Sequence, residues 1–199
     1  MRRSFRTKSA GLTMLELMIT LAIVAIIVNL SVPSFSGFRE TQRLIGAAEQ
    51  LYGSLQRARS ESVARNIPVY VNFAADGSEV WTYGTSSENS LCDVSLTSPT
   101  STGACVLVID DGNSITDNAD LVLVRSSSEE FQEVSMSISN FSSGNSQIEF
   151  DPVRGMASSA QVDLETENEN HLRIKVSLLG RVFLCSPNGS VAKYSSSGC

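Results

Sequence analysis

The run GLTMLELMITLAIVAIIVNLSVP, Gly11 to Pro33, decides how the rest of the chain is read. From Leu12 to Leu30 it holds nineteen residues with neither proline nor glycine and with one charge, Glu16. At about 1.5 Å of rise per residue, such a helix nearly matches a hydrocarbon layer of roughly 30 Å. Arg2, Arg3, Arg6 and Lys8 precede it and no comparable basic cluster follows. That asymmetry places the N-terminus in the cytoplasm and Ser34 onward outside it. The apolar run is not followed by a small-x-small cleavage site, which separates it from an ordinary secretory signal. A lone carboxylate in lipid costs a few kcal/mol, so Glu16 asks for a cation. Cutting after Gly11 would supply one, because the freed α-amine of Leu12 stands one helical turn from Glu16. A neighbouring copy's amine would serve as well in a staggered helix packing.

The 199 residues suit one domain carried on a helical stalk. Their formal charge is −6, and loss of the first eleven residues would make it more negative by the four cations they carry. Such a product has no bulk attraction for nucleic acid or anionic lipid. Four cysteines, outside the cytoplasm by the charge rule, favour disulfides over metal binding. Cys92 and Cys105 enclose twelve residues and Cys185 and Cys199 thirteen, which favours local pairing and leaves the connectivity open.

After Pro33 the pattern turns amphipathic. Phe35, Phe38, Leu44, Ala48, Leu51, Leu55, Ala58 and Ser62 form a stripe, with Arg39, Glu40, Arg43, Glu49, Arg57, Arg59 and Glu61 between its members. The helix is expected to continue into water with one face buried and to end at Asn66 and Pro68. Val69 to Phe73 and Val80 to Tyr83 flank Asp76-Gly77 as a hairpin. Short strands are expected at Val106 to Ile109, Leu121 to Val124, Val134 to Ile138 and Ile148 to Phe150, then at Val162 to Leu164, Leu172 to Leu178 and Val182 to Leu184. The segments are 1–11 leader, 12–33 apolar half of the helix, 34–66 amphipathic half and 67–199 β-rich domain. The class is α+β, a long helix packed on antiparallel sheet.

At its start the chain resembles the type IV prepilin signal. Gly11, Leu12, Thr13, Met14, Leu15 and Glu16 follow its pattern of Gly followed by F-T-L-x-E, with Leu12 in place of Phe and Met14 in place of Leu. Pro33 falls where pilin helices carry a proline. Leu51 to Val71, followed by Trp81 and Gly84, resembles the helix end and first hairpin of the GspH/FimT family of minor pilins and pseudopilins. The resemblance implies cleavage between Gly11 and Leu12, N-methylation of Leu12, and assembly roles for Glu16 and Pro33. It implies a minor pilin that helps initiate or cap a type IV pilus, with a type II secretion pseudopilin as the close alternative. The implied partners are other minor and major pilins, the prepilin peptidase and the inner-membrane assembly platform. The implied location is a single-pass inner-membrane anchor with the C-terminal domain in the periplasm, later extracellular in the pilus.

Some members of the family bind DNA through a C-terminal G-R-x-R, matched here by Gly180-Arg181-Val182-Phe183 without the second arginine. Arg173, Lys175, Arg181 and Lys193 are therefore candidate phosphate contacts. Asp163, Glu165, Glu167 and Glu169 lie close in sequence and oppose that reading. No cofactor or small-molecule substrate is indicated. His171 is the one histidine, expected beside Glu167 and Glu169, and no nucleophile or phosphate-loop motif accompanies it. The acidic run Asp110, Asp111, Asn113, Asp117 and Asp120 departs from calcium-loop spacing at Ile115, so no metal site is expected.

Overall fold

The structure is a computed structural model that describes residues 11, 13–87, 91–109, 118 and 120–199, with backbone alone at 29–36. The leader cations, Leu12, and the acidic positions Asp110, Asp111, Asn113 and Asp117 lie outside the described residues.

Helix α1 runs Met14–Arg65, 52 residues, and passes through Pro33. Thr13 starts it: its hydroxyl accepts the Glu16 N–H at 3.2 Å and its carbonyl accepts the Leu17 N–H at 3.1 Å. Thr-x-x-Glu is a capping pattern, and it sets the Glu16 carboxylate in the first turn, where the helix dipole favours negative charge. The helix stops at Arg65 because Asn66 takes a left-handed φ of 55° just ahead of Pro68.

The chain divides after Arg39 into two units. In the first, α1 presents the large apolar side chains from Met14 to Val28 exposed. Among the described residues no helix is long and apolar enough to cross a membrane. The stretch with described side chains, Thr13 to Val28, is itself shorter than the roughly 20 residues a span takes.

The second unit, from Glu40, holds the rest of α1 and, among the described residues, ten strands. One sheet is ordered β5-β2-β1-β7, from β1 (Val69–Ala74), β2 (Thr82–Ser86), β5 (Arg125–Ser127) and β7 (Gln147–Phe150). The other is ordered β10-β9-β8-β6, from β6 (Val134–Ser139), β8 (Ala160–Thr166), β9 (His171–Val176) and β10 (Val182–Cys185). A two-stranded ribbon pairs β3 (Val106–Val108) with β4 (Leu121–Leu123). Every named pairing is antiparallel. The predicted α+β class is the observed one.

Leu44, Ala48, Leu51, Leu55 and Ala58 of α1 are buried against Val69 and Val71, Ile148 and Phe150, and Leu164, Leu172 and Ile174. Ser62 sits on the same stripe, fully buried, and shares its hydroxyl hydrogen between the Ile67 and Phe150 carbonyls, each at 2.9 Å. The helix end is thereby tied to β7. Phe38, expected on the stripe, is exposed, so among the described side chains the apolar buried stripe begins at Leu44; the side chain of Phe35 lies outside them. Glu40, expected among the solvated charges, is buried instead and accepts the backbone N–H of Asn168 at 3.1 Å as well as its side-chain amide.

The first hairpin closes through a longer loop than its sequence suggests, since Ala74 pairs with Thr82. The loop residues between them carry Trp81 into the core, where its indole N–H donates to the Val134 carbonyl at 2.9 Å. Val80, expected in the second strand, is exposed. Strand β5 has no signal in the sequence, because Arg125, Ser126 and Ser127 offer no apolar alternation; pairing with β2 makes it a strand. Gly84 of β2 is required by a close approach, since a Cβ there would lie 2.7 Å from both Cβ and Sγ of Cys105.

Disulfides join Cys92 to Cys105 and Cys185 to Cys199. In the chain-entropy view each closure contributes about 3 kcal/mol. Replacing Cys185 and Cys199 together by serine is expected to speed protease cleavage within 186–199 at least tenfold while the far-UV spectrum is kept. Equal cleavage rates would show that the bridge does not hold this segment.

Candidate assembly and binding surfaces

Two regions carry the residues singled out by sequence. At the start of α1, Gly11 is exposed with open space around it and Glu16 is exposed at the helix N-terminus. Pro33 lies within α1, and its side chain is outside the description together with all of Leu12.

The second region is the outer face of the β10-β9-β8-β6 sheet. Strand β9 alternates half-buried His171, Arg173 and Lys175 with buried Leu172, Ile174 and Val176, so the three polar side chains share one face. Register sets Arg173 opposite Asp163 and Cys185, and Lys175 opposite Gln161 and Phe183. Asp163 is 8% exposed and is the centre of this face. Its Oδ1 accepts Arg173 Nε at 2.6 Å and stands 2.7 Å from His171 Nε2, and its Oδ2 accepts Gln161 Nε2 at 2.8 Å. Burial pushes the Asp163 carboxyl up, but the donors from Arg173, Gln161 and His171 outweigh it and hold the group below the usual carboxylate range.

The sign follows from the depressed folded value. The stabilisation is fully present above the unfolded pKa of about 4 and is lost as pH falls through the lower folded one. Asp163→Asn is expected to lose about 1–3 kcal/mol at pH 7 and to flatten the fall in stability below pH ~4. Urea titrations at several pH values check this; parallel curves for the two proteins would contradict it.

The four candidate phosphate contacts are differently placed. Arg173 is held by Asp163, and Lys175 Nζ donates to the main-chain oxygens of Cys199 at 2.9 Å and Gly198 at 3.3 Å. Lys193, away from this face, reaches α1, where its Nζ meets Glu49 Oε1 at 2.6 Å. Hydrogen bonds from Lys193 and from the Tyr194 hydroxyl hold the Glu49 carboxyl below its ordinary range. Arg181 is exposed, and its guanidinium carbon lies 5.3 Å from the centroid of the Phe183 ring. The face therefore gathers Arg173, Lys175 and Arg181 but leaves Lys193 outside it. His171 bonds across the sheet with Asp163 and has Glu165 Oε1 3.4 Å from Nδ1, so Glu167 and Glu169, its expected neighbours, are not its partners. Local sequence pointed to the wrong carboxylates because cross-strand pairing, not chain proximity, sets contacts on a sheet. Among the described residues no group of His, Cys, Asp and Glu is placed to hold a metal ion.

The sequence profile of the family described as type II transport protein GspH matches residues 47–180, and that of the prokaryotic N-terminal methylation motif matches residues 6–28. The chain belongs to the GspH family. It carries the methylation motif of pilin-like proteins and is of the minor pilin and pseudopilin class. Comparison with curated proteins gave no match. Among solved structures, it is similar to the type IV minor pilin FimU of Pseudomonas aeruginosa, with 17% identity and a TM-score of 0.43, covering 74% of this chain and 91% of that one. It is also similar to the minor pseudopilin EpsH of the type 2 secretion system of Vibrio cholerae, with 9% identity and a TM-score of 0.42, covering 71% of this chain and 94% of that one. In this GspH-family chain the matched profile spans the C-terminal part of α1 from Ala47 and strands β1 to β9, ending at Gly180 in the β9–β10 turn.

Proposed function

We propose that this GspH-family protein is a minor pilin that helps initiate or cap a type IV pilus within a complex of minor pilins. The observation that carries the reading is an exposed apolar helix under a methylation motif, continuous in sequence with a disulfide-bonded β unit. Exposed apolar side chains along one helix need lipid or other helices to cover them. In this reading the prepilin peptidase cuts after Gly11, Leu12 is methylated, and residues 12–33 span the inner membrane with the β unit in the periplasm. The assembly platform then moves the helix from lipid into a bundle formed with the helices of other minor and major pilins. Glu16 pairs there with a neighbour's N-terminal amine, and Pro33 marks the end of the lipid-embedded half.

Mass spectrometry of the N-terminus, from membranes with and without prepilin peptidase, tests the processing. A methylated Leu12 start only with the peptidase supports the reading, and an uncut start in both overturns it. Glu16→Val is expected to leave the protein cleaved and membrane-resident but to lower its recovery in sheared pili at least tenfold. Equal recovery would remove the pairing role.

A second reading, as a pseudopilin of a type II secretion system, is favoured by the description of the matched family. Secretion without pili in the same deletion strain would select it. DNA binding is a weaker reading, because three of its four cations already hold carboxylate or carbonyl oxygens. Salt-sensitive retention of DNA on filters that is lost in Arg181→Ala would support it.

A further inference from the structure

Strand β10 is an edge of its sheet, and among the described residues no strand pairs with its other side. The turn before it is a type of hairpin with a glycine bulge: Gly180 N–H bonds the Ser177 carbonyl at 2.8 Å, and Ser177 N–H bonds the Arg181 carbonyl at 3.0 Å. Pairs in an antiparallel ladder alternate between hydrogen-bonded and non-bonded. With Val182 opposite Val176 and Leu184 opposite Ile174, it is Phe183 and Cys185 whose main chain bonds β9. The N–H and C=O groups of Val182 and Leu184 therefore point away from the sheet. The next outward N–H, that of Ser186, is already taken by the Ser195 carbonyl at 3.1 Å, which closes the edge at that end.

These outward groups open on a groove of about 580 Å3 lined by Val182, Phe183 and Leu184 of the strand, Glu49 and Tyr52 of α1, and Tyr194. Its walls are apolar and aromatic, and its floor is a strand edge. Glu49 at one wall is engaged by Lys193 and Tyr194, whereas Arg181, the residue before β10, lies over the Phe183 ring and has no carboxylate partner among the described residues. The charge left to be met is positive, on a chain whose formal charge is −6.

We infer that this groove receives an extended segment of another polypeptide. The segment adds as a short strand to β10, with apolar side chains at alternate positions and a carboxylate at the Arg181 end. Main-chain bonds to Val182 and Leu184 hold it, Tyr52 and Tyr194 cover its inward side chains, and Ser195 limits its length.

The test uses the full chain in detergent micelles and fluorescein-labelled synthetic peptides of alternating valine and threonine, capped at both ends, carrying a terminal Glu or Lys. Anisotropy titration is expected to show saturable binding at least tenfold tighter for the Glu peptide. N-methylation of the peptide's alternate amides, in either phase, should weaken binding at least tenfold in one phase, because only one set of amides faces the edge. Arg181→Glu, an exposed change, should reverse the Glu-over-Lys preference. Leu184→Pro removes an outward N–H without touching the ladder to β9, and it should weaken the peptide at least tenfold with the far-UV spectrum kept. If that variant fails to fold, the N-methylated peptides on the unaltered chain still decide. No saturable binding up to millimolar peptide, equal affinity for both amide phases, or equal affinity for Glu and Lys peptides overturns the inference.

Discussion

Gly180→Ala is expected to lower the stability of the β unit by at least about 3 kcal/mol. Two penalties act together. Gly180 has a φ of +70°, where a residue with a Cβ pays about 1–2 kcal/mol, and its Cβ would lie 2.1 Å from the carbonyl oxygen of Gly155. That oxygen belongs to backbone and cannot swing aside, so the β9–β10 turn or the 151–155 turn must move. For a unit of this size the melting temperature should fall by roughly 10 °C. Gly189→Ala is the control: its φ of +68° is similar, but nothing lies within 4 Å of the added carbon. It should lose only about 1–2 kcal/mol. Similar losses in the two variants would show that the contact with Gly155 is soft.

Trp81→Ala is expected to cost about 3–5 kcal/mol. Trp81 is 1% exposed and the largest fully buried side chain. It lies flat between neighbours, with ring centroids 6.2 Å from both Tyr83 and Phe131 and interplanar angles of 11° and 13°. Alanine leaves a void under both rings and strands the Val134 carbonyl that the indole N–H satisfies. Trp81→Phe keeps most of the packing and loses the donor, so about 1–2 kcal/mol is expected for it. Urea unfolding followed by circular dichroism measures both, and a loss below ~1 kcal/mol in the alanine variant would contradict this view of the core.

Much of the architecture was legible in the sequence. The spacing of Leu44, Ala48, Leu51, Leu55, Ala58 and Ser62 marks a helical face, and each of these residues is buried. Alternation in Leu172 to Val176 marks the two faces of β9. Where patterning is weak the reading stopped early or ran on. Strand β5 has no apolar alternation, and Leu178, read as strand, stands exposed in the turn that Gly180 closes. The candidate surface was only half legible. The shared face of Arg173 and Lys175 follows from a period of two, but the partners that occupy them come from β8 and from the last residues of the chain.

The sequence by itself determined the long helix and its stop signal, the apolar run with one carboxylate, the acidic charge and the alternating strands. These depend on residue type and on local periods, which are written along the chain. Only the tertiary structure decided that Glu40 and Asp163 are buried and satisfied, that His171 meets Asp163 and Glu165, and that Lys193 reaches Glu49. It also decided that β10 ends its sheet, with no strand on its other side among the described residues. Each of these joins residues set far apart along the chain or depends on strand order and register. A shift of one residue in the β8–β9 register would exchange the faces and part Asp163 from Arg173 and His171.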